Sequence, residues 1–174
     1  MKKYVIIASA ILTLAGCSAS IAHAETEVTP VAQQHTNAMT FQQVIKARTN
    51  GVKMKTVVKY LFSHIDRTAY VFSGASPYGW DCSGMVRWTY EQFGLELPHS
   101  ADAQGHLGTR VHTPKLGDVV VFAYQGSTSF YHAAIYIGKN KIINANSGAG
   151  TTIIEPLSDY KGSEIRFIRV IPTL

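Results

Sequence analysis

The chain has 174 residues, 46% of them hydrophobic and 16% charged, which suits roughly one globular domain and excludes a disordered chain or a repeat array. Sixteen Lys and Arg against eleven Asp and Glu give a net charge of +5, which suits an anionic partner (nucleic acid, membrane surface or cell-wall polymer) without choosing among them. Two cysteines, Cys17 and Cys82, are too few for a disulfide framework or a thiolate zinc site.

Lys2 and Lys3 precede an apolar run of twelve residues from Tyr4 to Ala15, shorter than the roughly twenty that a membrane span needs, so residues 1–24 read as a secretory signal. Two cleavage sites compete. Leu14-Ala15-Gly16-Cys17 fits the bacterial lipoprotein box, with Cys17 as the lipidated residue, and Ala22-His23-Ala24 fits ordinary signal peptidase. The first is favoured because the apolar run stops directly at the box. Either route leaves Cys82 as the one free thiol, and removal of Lys2 and Lys3 lowers the charge from +5 to +3. The product is exported, either lipid-anchored to an envelope membrane or released.

Residues 25–39 carry Thr, Gln, Pro30 and Asn37 without apolar periodicity and read as a flexible linker, leaving 40–174 as the single domain. Thr40-Phe41-Gln42-Gln43 reads as a capping box opening a helix that stops near Asn50-Gly51. Val57, Val58, Leu61, Phe62 and Ile65 recur at helical spacing and predict a second helix. Breakers between Tyr70 and Trp80 predict a loop. Met85, Val86, Tyr90 and Phe93 predict a helix that begins at or next to Cys82 and ends by Gly94. A short helix over Ser100 to His106 follows. From Gly117 the period changes to short Val-, Ile- and Tyr-rich runs at 119–123, 133–137, 141–145, 151–155 and 165–171. Helices followed by an antiparallel meander define an α+β domain of five to six strands.

A thiol at the first turn of a helix faces unpaired N–H groups and the positive end of the dipole, which favour thiolate, so Cys82 is a candidate nucleophile. His132 opens an apolar strand and is the candidate base, held by a rigid element. Asn144, across the next turn, is the candidate orienting residue. Strand parity constrains this pair. A regular two-residue loop at Lys139-Asn140 would put Asn144 opposite Ile135, on the wrong face. A three-residue loop, Gly138 to Asn140, or a bulge would put it opposite Ala134 beside His132. One of the two is required, with the Asn144 oxygen about 2.7 to 3.2 Å from the His132 nitrogen that faces away from Cys82. His64, His99, His106 and His112 fall at helix ends or in loops. The absence of HExxH and of a cysteine cluster argues against a metal or other cofactor. Ser158-Asp159-Tyr160-Lys161 matches S-x-x-K by chance, since too little chain follows it for the companion motifs. The aromatics form no RNA-binding signature, so nucleic acid is not an expected partner.

With these residues placed, Tyr70 to Asn146 resembles the NlpC-type family of bacterial cell-wall cysteine peptidases. Tyr70-Val71-Phe72-Ser73-Gly74 is similar to that family's Tyr and Gly-Gly segment, and Trp80-Asp81-Cys82-Ser83-Gly84 to its aromatic-Asp-Cys-Ser-Gly nucleophile box. Leu97-Pro98-His99-Ser100, Pro114 to Phe122, and His132-Ala133-Ala134-Ile135-Tyr136-Ile137-Gly138 resemble its following segments in order. The resemblance implies a papain-like fold, Cys82 as nucleophile, His132 as base, and hydrolysis of an amide in the peptidoglycan stem peptide, between D-γ-glutamyl and meso-diaminopimelate or lysine. It also implies that Tyr70, Asp81 and Ser83 shape the substrate cleft. Ser73 stands where the family has Gly, Trp80 where Phe is usual, and Asn144 where the third residue is often His. An N-acetylmuramoyl-L-alanine amidase and a non-catalytic cell-wall-binding lipoprotein are the other readings.

Overall fold

A computed structural model describes residues 53–171; the signal segment, the linker and the helix expected from Thr40 lie outside these residues. The first helix, α1, runs Met54–Phe62 and buries Val57, Val58 and Leu61 of the predicted stripe together with Met54, whereas Phe62, expected on the same face, is exposed. It ends before Ile65. The Ser63 hydroxyl donates to the Tyr60 carbonyl at 2.6 Å, and Ile65 leaves to form a single parallel bridge to Thr152. The loop from Tyr70 to Trp80 contains a tiny hairpin, β1 (Ala75–Ser76) and β2 (Gly79–Trp80), too short for a periodicity to reveal.

Helix α2 spans Cys82–Glu91 and α3 spans Ala101–Gly105, the latter capped by the Ser100 hydroxyl. The strands are β3 (Thr109–Val111), β4 (Val119–Tyr124), β5 (Phe130–Gly138), β6 (Lys141–Asn146), β7 (Thr151–Pro156) and β8 (Ser163–Arg169). A 3₁₀ turn, Leu157–Tyr160, joins β7 to β8. The six form one antiparallel sheet in the order β3-β8-β4-β5-β6-β7, the upper limit of the expected strand number. The short edge strand β3 was not predicted. Of its three residues two are exposed, so it carries little hydrophobic signal.

Alternation along the strands sorts the sheet into two apolar faces. Val119, Val121, Ala133, Ile135, Ile143 and Ala145 pack with α1 and α2 in the main core. Val120, Phe122, Ala134, Tyr136 and Ile142 form the second face together with Ile165 and Phe167 of β8, and Leu157 and Tyr160 pack against it.

Hydrogen bonds between distant segments fix α2, two of them on its sheet side and one to α3. The buried Trp80 indole donates to the Thr152 hydroxyl at 2.7 Å, a bond the usual Phe could not make. The Tyr90 hydroxyl donates to the Gly117 carbonyl at 2.7 Å. The buried Gln104 amide donates to the carbonyls of Ser83 and Pro98 at 2.9 and 2.8 Å, tying α3 to the first turn of α2.

Gly84 permits that first turn to lie against the β1 loop, because a Cβ there would collide with the Gly74 carbonyl oxygen and crowd His99. Replacing Gly84 with Ala must therefore push α2 off the loop. The expected cost is about 2 kcal/mol or more, visible as a lower Tm in thermal denaturation.

Candidate active site

Cys82 opens α2, and its helix-capping residue is Asp81, whose Oδ1 accepts the Gly84 N–H at 2.7 Å. The same oxygen accepts the Ser83 hydroxyl at 3.0 Å and faces His99 Nε2 at 2.9 Å, and Oδ2 accepts the Ser73 N–H at 3.0 Å. Burial pushes the Asp81 carboxyl up, but the hydrogen bonds from Gly84, His99 and Ser83 outweigh it and hold the group below its ordinary range. Ser73 has φ +58°, the left-handed conformation that Gly adopts without strain, which is why Gly suits this position.

The expectation of a thiolate at Cys82 is corrected by its surroundings. Burial pushes the thiol up, and the Asp81 charge adds to this. The N–H groups of Ala133, Ser83 and Cys82 itself pull the other way without overcoming it. These surroundings disfavour the thiolate in the free protein.

His132 and Asn144 are joined, His132 Nε2 to Asn144 Oδ1, at 3.0 Å. The one-residue register change comes from a bulge, not a longer loop. Gly138 pairs with Lys141 around the two-residue loop Lys139-Asn140, both residues at positive φ, and Ile137 is the extra residue. Beyond it Tyr136 pairs with Ile142 and Ile135 with Ile143, and there the backbone ladder between β5 and β6 stops. The His132–Asn144 side-chain bond spans the opened stretch. A second bulge, between β4 and β5 at Tyr131, adjoins His132 on its other side.

Burial pushes the His132 imidazole down, with the Asn144 bond and the Glu155 charge opposing, so it is neutral at pH 7. Its ring lies near Phe122 and parallel to Tyr160, centroids 5.5 and 6.0 Å away. Cys82 meets β5 one residue further on, at the Ala133 N–H. Among the described residues no hydrogen bond joins the thiol to the imidazole; such bonds often tighten only when substrate is bound.

Tyr70, Asp81, Cys82, Ser83, His99 and Tyr131 line one cleft of about 300 Å³, with Phe72, 84% exposed, on it as well. The polar atoms of Asp81 and Ser83 are engaged with one another and with the helix start. Tyr70 is kept a neutral phenol by burial and by the nearby Cys82 and Asp81. No three His, Cys, Asp or Glu side chains among the described residues group closely enough to hold a metal ion.

Sequence reasoning missed Glu155. Its Oε2 accepts Asn144 Nδ2 at 2.8 Å, Asn146 Nδ2 at 3.0 Å and the Tyr160 hydroxyl at 2.9 Å. The available signal was a lone acid in the run Thr151-Thr152-Ile153-Ile154-Glu155, one hairpin away from Asn144.

These elements define a helix-borne thiol against an antiparallel sheet carrying an imidazole and an amide. Residues 67–169 match the NlpC/P60 family, and the chain belongs to that family, whose members include endopeptidases and peptidoglycan hydrolases as well as a domain described as non-catalytic. Residues 1–18 match the prokaryotic membrane lipoprotein lipid attachment site, the mark of an exported, lipid-anchored protein. Over 154 residues the chain is 34% identical to murein DD-endopeptidase MepS/murein LD-carboxypeptidase of Escherichia coli K12, covering 84% of this chain and 79% of that protein. It is 39% identical over 104 residues to gamma-DL-glutamyl hydrolase of Bacillus subtilis 168, covering 58% of this chain and 25% of that protein. The chain thus spans only about a quarter of that longer relative. The solved NlpC/p60 domain of the peptidoglycan hydrolase SagA is similar over 68% of this chain and all of that one, at 26% identity and TM-score 0.58.

Asp81→Asn keeps an oxygen for the Gly84 N–H and removes the charge beside the thiol. Iodoacetamide should then alkylate Cys82 at neutral pH roughly threefold to tenfold faster than in the parent protein. The lowered Asp81 value has a second consequence. Its stabilising contribution is present above the unfolded carboxyl value of 3.8 and is lost as pH falls through the lower folded value. Stability measured by urea denaturation should fall less steeply below pH 4 in the Asn variant.

Proposed function

We propose that this protein hydrolyses an amide bond of the peptidoglycan stem peptide through a thiol mechanism carried by Cys82, His132 and Asn144. The observation that carries the reading is the juxtaposition at the opened β5–β6 stretch. The Cys82 thiol faces the Ala133 N–H, and the adjacent His132 is held by Asn144.

In the mechanism, His132 Nδ1 takes the thiol proton as sulfur attacks the amide carbonyl carbon. The developing oxyanion lies at the start of α2, where backbone N–H groups and the helix dipole favour negative charge. Collapse breaks the C–N bond, and the imidazolium gives its proton to the leaving amine. Water, deprotonated by the same nitrogen, then hydrolyses the thioester and restores the thiol. A thiol that starts protonated and an imidazole that starts neutral suit this proton transfer during attack.

Tyr70, Asp81 and Ser83 shape the cleft, as do Phe72 and Tyr131. The bond proposed is that between D-γ-glutamyl and diaminopimelate or lysine, a choice consistent with similarity to a Bacillus subtilis protein named as a hydrolase of γ-glutamyl bonds. A second reading, cleavage of the D,D or L,D bonds named for the Escherichia coli relative, is favoured by the greater length over which that protein matches. Cys17 is proposed as the lipidated residue, with residues 40–174 as the catalytic domain.

Cys82→Ala should lower murein digestion by about a thousandfold or more while leaving the circular dichroism spectrum unchanged. Mass spectrometry of the released muropeptides distinguishes the bonds. Free L-Ala-D-Glu ends support the D-γ-glutamyl assignment, and monomers released from cross-linked dimers support the second. Cleavage of muramoyl from L-alanine would identify an amidase, and full activity of the Ala variant would overturn the thiol mechanism. Globomycin should block maturation if Cys17 is lipidated, whereas a mature form starting at Glu25 would refute that part.

A further inference from the structure

The hydrogen bonds behind Asn144 form a chain whose direction can be read from a group that can only donate. The backbone N–H of Ala149 points at Asn146 Oδ1 at 2.9 Å, so the other end of that amide, Nδ2, is the donor toward Glu155 Oε2. Tyr160 delivers a second donor to the same oxygen, and burial together with Glu155 keeps its phenol protonated by pushing it up. An oxygen receiving these donors is an acceptor. Asn144 must therefore present Nδ2 to Glu155 and Oδ1 to His132. Facing a carbonyl oxygen, His132 Nε2 must carry the hydrogen. The lone pair is then on Nδ1.

We propose that Glu155, seated by Asn146 and Tyr160, is a positioning residue that locks the Asn144 amide and thereby sets the His132 tautomer with Nδ1 as the base. This rests on the thiol-peptidase reading for its catalytic consequence, but the tautomer itself does not. An amide is nearly symmetric in shape, and a buried Asn144 could rotate to offer Nδ2 to the imidazole, which would place the ring hydrogen on Nδ1 and leave no base for the thiol. A histidine at position 144 could also meet the imidazole through a nitrogen that accepts. An asparagine needs a fixed acceptor behind it, and Glu155 supplies one.

The test uses the mature full-length protein, labelled with ¹⁵N, at a pH where His132 is neutral. Nitrogen spectra of the His132 ring in the parent protein should show protonated Nε2 and bare Nδ1. In Glu155→Ala the two tautomers should mix, and kcat on murein should fall roughly 10- to 100-fold with KM changed far less. An unchanged tautomer overturns the proposal whatever happens to kcat, and a mixed tautomer with unchanged kcat overturns the catalytic consequence.

Should Glu155→Ala fail to fold, Glu155→Gln with Tyr160→Phe decides, since it removes the carboxylate and one of the donors that keep the group behind Asn144 an acceptor. The His132 tautomers should then mix, and adding Asn144→Asp, whose oxygens can only accept, should restore the Nε2–H tautomer without Glu155. An unmixed tautomer in the first variant, or no restoration in the second, overturns the lock. Absence of murein cleavage by the parent protein would instead sink the peptidase reading, with the tautomer measurement still deciding the lock.

Discussion

Four donors converge on the Asp81 carboxylate, and the position of the nucleophilic helix depends on them. Gly84 and Ser83 belong to the first turn of α2, Ser73 to the loop beneath it, and His99 to the segment leading into α3. A neutral cap could satisfy the helix N–H, but only an acceptor with two oxygens gathers all three segments at one point. The close approach of Gly84 to Gly74 and the left-handed Ser73 follow from that gathering.

The same carboxylate has an electrostatic consequence for its neighbour. The helix start favours a negative sulfur, while the buried Asp81 charge and the loss of water disfavour it. The second pair of effects prevails in the free protein. Reactivity then depends on a base arriving at the sulfur, which makes the hold on His132 as important as the nucleophile's own surroundings.

That hold arises from an interruption of the sheet. A fully zipped β5–β6 ladder would occupy the backbone groups on which Cys82 draws. The ladder instead ends at Ile135–Ile143, Ala133 N–H turns to the thiol, and the side chains of His132 and Asn144 bridge the opened stretch. Behind them Glu155 and Tyr160 lie on the face of the sheet away from α1 and α2. The site thus draws on both apolar layers, the thiol from one and the imidazole with its supports from the other.

The amino-acid pattern by itself determined the α+β class, a helix beginning at or next to Cys82, a strand carrying His132, though that strand begins at Phe130 and not at His132, and the parity requirement for a one-residue register change before Asn144. These follow from local periodicity, turn chemistry and the strict two-residue repeat of strands. Only the tertiary structure decided that Ile137 makes the change as a bulge, that Ile65 leaves α1 for Thr152, and that Trp80 spends its indole N–H on β7. It also decided the sign of the thiol's shift, because desolvation depends on how much protein surrounds the sulfur and not on its neighbours in sequence. Glu155 stayed hidden for a related reason. A lone acid in a strand reads as a solvent-facing residue until the hairpin register places Asn144, Asn146 and Tyr160 around its carboxylate, a convergence set by packing across three elements.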